Sequence, residues 1–323
     1  MLVNLGTPDE PTPAAVRRYL AEFLWDKRVV DAPRWLWWLI LNGIILRFRP
    51  KRVAKLYASV WQKDGSPLMH YTRSLAEKLE AQLSADLGHT VPVIPAMTYG
   101  NPSITAGSKR LRQEKIRKLI VVPLYPQFSA TTTAAAFDAL AKQLRPCPDV
   151  PEIFFVRDYH DHPAYIEALK QSVLKQTADQ PPVDELVMSF HGIPQRYHQQ
   201  GDPYPLECKK TGKLLAEALS LSDEQWRLTF QSRFGREEWL QPYTDKTMES
   251  LPEAGTRRIN VICPGFAVDC LETLEEIQEE NCHLFMEAGG ESFHYIPCLN
   301  DSDEQVGLMN QLVKEKARAF CNG

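Results

Sequence analysis

The chain has 323 residues, 44% of them hydrophobic, 24% charged and 10% aromatic. At about 150 residues per domain it should hold about two globular domains, and disorder, collagen and coiled coil are excluded. The formal net charge of -4 supplies no basic field for phosphates, which argues against nucleic acid and for a small-molecule ligand. Seven cysteines (Cys147, Cys208, Cys263, Cys270, Cys282, Cys298 and Cys321) form no CxxC pair, as expected of reduced thiols in a cytoplasmic protein.

In chain order, residues 1–5 read as a strand, and acidic Asp9 and Glu10 follow, so no secretory leader is expected. The longest apolar run, residues 35–46 (WLWWLILNGIIL), falls well short of the ~20 residues a helix needs to span hydrocarbon. Trp35, Trp37 and Trp38 are flanked by Lys27, Arg28 and Arg34 before and by Arg47, Arg49, Lys51 and Arg52 after. That segment fits either a helix buried in the core or one resting at a lipid headgroup layer.

Short apolar or β-branched runs recur at 2–5, 91–97, 119–124, 153–156, 186–190, 228–230, 259–263 and 293–296. Helical stretches lie between them, announced by Ser129 and Thr131–Thr133 before AAAFDALAKQL and by Asp301–Asp303 before EQVGLMNQLVKEKARAF. Strict alternation requires right-handed crossovers and parallel sheets covered on both faces. The expected fold is therefore α/β, with two doubly wound domains that each carry a four-stranded parallel sheet flanked by helices. The division is expected near residue 160: 1–160, with a large insertion at about 12–87 and joined by the last helix at 303–323, and 161–302.

Parallel sheets bind ligands at the carboxyl ends of their strands. After ELVMSF comes His191, then Gly192, Ile193 and Pro194, so an imidazole sits where the chain leaves a sheet. After INVICPG the chain is expected to enter an α-helix. At about 100° per residue, Asp269, Glu272, Glu276, Glu279, Glu280 and His283 then share about a third of its circumference. Such a stripe is either a solvated face or, starting at a strand's carboxyl end, a set of oxygen and nitrogen ligands for a labile divalent metal. GxGxxG after a strand, GxxxxGK[ST] and GxSxG are all missing, so nucleotide-binding and hydrolase chemistry lack support. DYHDHP reads as a strand-to-helix turn with Pro163 at the helix start.

The stretch LVMSFHGIPQRYHQQGDPYP at 186–205 resembles the signature of the ferrochelatases, which insert Fe(II) into protoporphyrin IX at the end of haem synthesis. NLGTPDEP, GSP, PLYPQFSATTT, FQSRFGREEWLQPYTD and PGFAVDCLETLEEI match in the same order, over nearly the whole length. The resemblance implies a class II chelatase-like fold and an inner metal site at His191 and Glu272. It further implies a metal or proton path through Asp269, Glu276 and Glu280, and porphyrin contacts from Leu5, Arg47, Arg49, Tyr57, Ser66 and Tyr125.

The tryptophan run would then be an apolar lip, peripheral to the inner face of the cytoplasmic membrane. Iron is a substrate, and no tightly bound cofactor is implied. Ala130 follows PQFS where some relatives place a cluster cysteine, and the chain closes on Cys321-Asn-Gly, so no iron–sulfur cluster is expected. Leu5 stands where coproporphyrin-metallating relatives often carry a tyrosine, which favours protoporphyrin. A histidine found beside the aspartate in some members is Cys270 here. The rival functions are a chelatase for Co(II) or Ni(II) and another tetrapyrrole, and a non-catalytic haem or metal carrier.

Overall fold

A computed structural model describes residues 1–235 and 237–321; the terminal Asn-Gly, on which the expectation of no further tail rested, lies outside the described residues. Eight strands form: β1 (Leu2–Asn4), β2 (Pro95–Met97), β3 (Lys118–Pro123), β4 (Glu152–Phe155), β5 (Glu185–His191), β6 (Trp226–Gln231), β7 (Arg258–Ile262) and β8 (Ser292–Ile296). Each falls on an expected apolar run, although residues 91–94 stay outside β2 and His191 is the last residue of β5 rather than the first beyond it.

The strands make two four-stranded, all-parallel sheets, ordered β2-β1-β3-β4 and β6-β5-β7-β8. The chain divides into two compact units, one of Met1–Tyr125, Ser129–Asp158 and Met309–Gly323, the other of Pro126–Phe128 and Tyr159–Leu308. In both, strand order reverses between the first and third strands, and this reversal marks a crevice at the carboxyl edge.

Local chemistry sets the helix starts. Thr12, Ser66 and Ser103 cap the helices Pro13–Trp25, Pro67–Leu87 and Ile104–Gln113, each accepting from the amide three residues on. His162 caps Pro163–Thr177 with proline at its start, as the DYHDHP turn suggested. In the first unit Val3, Ala96, Leu119 and Val121 bury against Ile104, Leu111 and Leu140. In the second, Val187, Ile259, Val261 and Tyr295 bury against Met248, Ile277 and Phe285. Helices packed on a sheet in this way bury the apolar side chains of its strands.

The 35–46 segment divides its surface. Trp37 is buried and donates its indole N–H to the Leu24 carbonyl at 2.7 Å. Trp35, Trp38, Leu39, Ile44 and Phe48 are exposed, Trp35 at 71% and Phe48 at 70%, so a wholly buried core helix is ruled out. The chain there runs as a helix Arg34–Ile40, a π-turn Leu41–Ile45 and a helix Leu46–Val60.

Gly6 follows β1 with φ +111°, and a Cβ built on it would sit 1.7 Å from the Tyr99 carbonyl oxygen. The β1 and β2 strands continue their approach past their ends there, with Tyr99 N–H donating to Leu5 C=O at 2.9 Å. Glycine is therefore required by both conformation and space. Gly6→Ala should lose about 3 kcal/mol of stability in urea unfolding. A loss below about 0.5 kcal/mol would show that this crossing is not tight.

Candidate functional site

At the carboxyl edge of the second sheet, β5 and β7 flank the reversal point, and each ends in a sharp turn. β5 ends on His191, and β7 runs into Pro264-Gly265-Phe266; the Phe266 ring lies 6.3 Å from the imidazole, centroid to centroid. His191 Nδ1 is 2.6 Å from the Gly192 carbonyl oxygen. A carbonyl can only accept, so in the neutral ring Nδ1 carries the proton and Nε2 keeps a free lone pair. Gly192 permits the turn: its N–H donates to the Gln231 carbonyl at 2.8 Å, and a Cβ there would come 2.9 Å from that same oxygen.

The acidic segment differs from its expected form. Glu272–Asn281 is a π-helix, not an α-helix, and Asp269 precedes it. With hydrogen bonds five residues apart, the 100° spacing does not apply, and the six-residue stripe breaks up. Asp269 is buried and accepts from Thr273 Oγ1 at 3.0 Å, Tyr295 OH at 2.5 Å and Asn300 Nδ2 at 2.6 Å. It thus staples the entry to the helix onto β8 and the following loop. Glu272 and Glu276 are half-buried, while Glu279, Glu280 and His283 are exposed. His283 pairs with Glu287 at 3.2 Å. The acids therefore grade from the sheet edge out to solvent.

The His191 imidazole and the Glu272 carboxylate both lie within electrostatic reach of Glu276. Burial raises the Glu276 carboxyl above its usual range. Hydrogen bonds from Ser232 pull it down, as does the charge His191 carries when protonated, and the like charge of Glu272 pushes it further up. The Ser232 N–H donates to Glu276 Oε1 at 2.7 Å and its hydroxyl to Oε2, both from a backbone at φ +66°. Next to Glu272, burial pushes the Cys270 thiol up, with the carboxylate adding to the rise, so the thiol stays protonated.

Two residues of this cluster, Gln231 and Ser232, escaped the sequence analysis. The only sequence signal is the alternation of Thr229 and Gln231 with apolar Leu228 and Phe230, which puts two polar side chains on one face of a buried strand. Elsewhere, Asp161 pairs with Lys210, His160 Nδ1 lies 3.5 Å from Glu207, and Asp158, His160 and Asp161 gather closely enough to be candidate cation ligands.

The remaining sequence candidates lie in the first unit. Leu5 follows β1 and Tyr125 follows β3, which places both at that sheet's own reversal point. Burial pushes the Tyr125 phenol well up, so it stays neutral. Tyr57 is buried, its ring 6.1 Å from that of Trp61 and edge-on to it. The Ser66 hydroxyl accepts from Met69 N–H at 3.2 Å. Arg47 is exposed and Arg49 half-buried on the helix after the tryptophan run.

The raised Glu276 carboxyl has a consequence for stability. A folded-state pKa above the unfolded value means that, between the two, the native state holds more proton than the unfolded state, so stability falls as pH rises through the folded pKa. In metal-free protein, Glu276→Gln should remove this fall, gaining on the wild type as pH climbs above the ordinary carboxyl range near ~4.3. A stability difference that does not change with pH, measured by urea unfolding at several pH values, would refute the assignment.

A family model described as Ferrochelatase matches residues 1–317. The chain is 56% identical to the ferrochelatase of Vibrio cholerae over 314 residues, covering 97% of this chain and 96% of that protein. It is 52% identical to that of Marinobacter nauticus over 320 residues, covering 99% and 86%. Ferrochelatase 1 of Shewanella oneidensis is 52% identical over 322 residues, covering 100% and 96%. Among solved structures, SirB from Bacillus subtilis with Fe3+ is similar at a TM-score of 0.57 and 14% identity, covering 78% of this chain and 91% of that one. At that identity the likeness speaks for the fold alone.

Proposed function

The chain belongs to the ferrochelatase family, whose activity is the insertion of iron into a porphyrin as the terminal step of haem synthesis, and from that premise we propose that His191 and Glu272 carry the reaction. The overall change is balanced by protons: Fe(II) enters, two pyrrole N–H bonds break, and two protons leave. The chain must therefore offer a proton acceptor and a metal-binding group at one place. His191 Nε2 is the acceptor. Its availability is the observation that carries the proposal, because the Gly192 carbonyl holds the proton on Nδ1.

Glu272, at the start of the π-helix, supplies a hard oxygen ligand for Fe(II), and Glu276 sits one step further out. The half-buried to exposed gradient from Glu276 to Glu280 gives metal or protons a route between solvent and that pair. Asp269 acts differently. It anchors the helix entry through Thr273, Tyr295 and Asn300. Leu5 has no atom able to ligate iron, which supports protoporphyrin IX as the macrocycle. Leu5, Tyr57, Ser66 and Tyr125 are its proposed contacts in the first unit, with Arg47 and Arg49 for propionates. No iron–sulfur cluster enters the proposal, because Ala130 offers no thiolate.

His191→Ala should lower the anaerobic rate of Fe(II) insertion by about 100-fold or more while porphyrin binding persists. Glu272→Gln should raise the KM for Fe(II) by about tenfold or more. Near wild-type turnover by both variants would remove the pair from the reaction.

No described helix is long and apolar enough to cross a membrane. The exposed Trp35, Trp38, Leu39, Ile44 and Phe48, with Arg47, Lys51 and Arg52 exposed beside them, support a peripheral contact with an anionic lipid surface, here the inner face of the cytoplasmic membrane. Burying one large apolar side chain contributes about 1.5–3 kcal/mol. A Trp35→Ser, Phe48→Ser double variant should therefore bind phosphatidylglycerol vesicles at least about tenfold more weakly in cosedimentation. Unchanged binding would show that these side chains do not touch lipid.

A further inference from the structure

We infer that Gln231 is a positioning residue for the metal, whose side-chain amide sets the placement of the first turn of the Glu272–Asn281 helix relative to the strand end that carries His191. This rests on the assignment of His191 and Glu272 as the reacting pair. Gln231 ends β6 and is the register partner of His191 across the parallel β5–β6 ladder. Its backbone carbonyl accepts the Gly192 N–H at 2.8 Å, directly behind the imidazole.

The side chain is 2% exposed, and its amide is engaged at both ends. Oε1 accepts from Ser189 Oγ at 2.8 Å, two residues before His191 on the same face of β5, and from the Cys263 thiol at 3.7 Å. Nε2 donates to the Glu272 carbonyl at 2.8 Å and reaches Glu276 Oε2 at 3.5 Å. One planar amide thus ties β5, β7 and the π-helix together at the point where imidazole and carboxylates converge.

A buried amide with its donors and acceptor used has a single orientation, which fixes the groups at its two ends. Groups of this kind around metal sites set ligand geometry and usually weaken metal binding 10–100-fold when removed. The strand itself does not depend on the amide. Ser189 Oγ keeps Thr244 Oγ1 at 2.9 Å, and Thr244 Oγ1 donates onward to Thr229 at 2.9 Å, so the β5–β6 core retains its own hydrogen bonds. A change at Gln231 should therefore register at the metal before it registers in the fold.

The test compares wild type with Gln231→Met, which keeps the length and loses the amide, and Gln231→Glu, which keeps the acceptor for Ser189 and sets a carboxylate against the Glu272 carbonyl and Glu276. Both variants should raise the KM for Fe(II) by about tenfold or more, with the KM for porphyrin within about twofold of wild type. Hydrogen exchange in Gln231→Met should quicken in the peptide covering Glu272–Asn281 and stay unchanged elsewhere. An unaltered KM for Fe(II) would overturn the inference. So would an equal rise in both KM values together with a lowered melting temperature, because that is what general damage to the strand would produce. If Gln231→Met does not fold, Ser189→Ala removes the 2.8 Å donor to Oε1 together with the Thr244 contact, leaves the amide in place and should give a smaller rise in the KM for Fe(II); no rise would again overturn it. Assayed alongside, inert His191→Ala and Glu272→Gln would sink the metal-site assignment, whereas their impairment with an unaffected Gln231→Met would sink this inference alone.

Discussion

In a parallel sheet every strand delivers its carboxyl end to the same edge, and where the strand order reverses the two neighbouring crossovers depart to opposite faces. In the second unit that reversal falls between β5 and β7, and the chemistry of the unit gathers at it. His191 has no freedom to be elsewhere: it is the last residue of a ladder in register with both Gln231 and, further back, β7. Its ring is then aimed by a carbonyl one residue away, and Phe266 at the end of β7 closes one side.

Holding carboxylates at such an edge costs desolvation, and the local backbone is irregular where that cost is met. Ser232 takes a left-handed conformation uncommon outside glycine, asparagine and aspartate. In return both its N–H and hydroxyl meet the Glu276 carboxylate. The helix that carries Glu272 and Glu276 is π-wound over ten residues, a rare geometry concentrated at functional sites. Asn281 donates to the Glu276 carbonyl at 2.7 Å, capping from within a turn that is wider than an α-helix. Strain and unusual winding at one place, surrounded by a fully paired polar network of Ser189, Thr229, Gln231 and Thr244, are what a pre-organised ligand set requires.

The alternation of strand and helix was legible because a doubly covered parallel strand is apolar on both faces and reads as a continuous run, as in LIVV of β3. The position of His191 was legible because Gly-Ile-Pro directly after an apolar run marks where the chain leaves the sheet. The winding of the acidic helix was not. Residue types carry no marker that separates i→i+5 from i→i+4 hydrogen bonding, and the spacing of the acids suits an α-helical stripe that the backbone does not make. Gln231 was invisible for a different reason. Its partners Glu272 and Ser189 lie 41 and 42 residues away, and a glutamine ending a strand looks like a solvated tip until the fold brings a helix over it. The exposed face of the tryptophan run was likewise undecidable from hydrophobicity alone, because Trp37 and Trp35 have the same chemistry and opposite burial.

The two sheets share one strand order and carry different chemistry at equivalent places. At the reversal point of the first, Leu5 and Tyr125 follow the strands, an apolar side chain and a phenol that burial keeps neutral. At that of the second, β5 ends in His191, and Glu272 and Glu276 lie on the helix that follows β7. Metallating a porphyrin separates into the same two demands. A flat apolar ring needs surfaces that do not compete for its protons or its metal, whereas its pyrrole protons and incoming iron need groups that do. Within the second unit, burial raises the Glu276 carboxyl and Ser232 restrains it, so the low dielectric that penalises a buried charge is offset by paired donors at the same sheet edge.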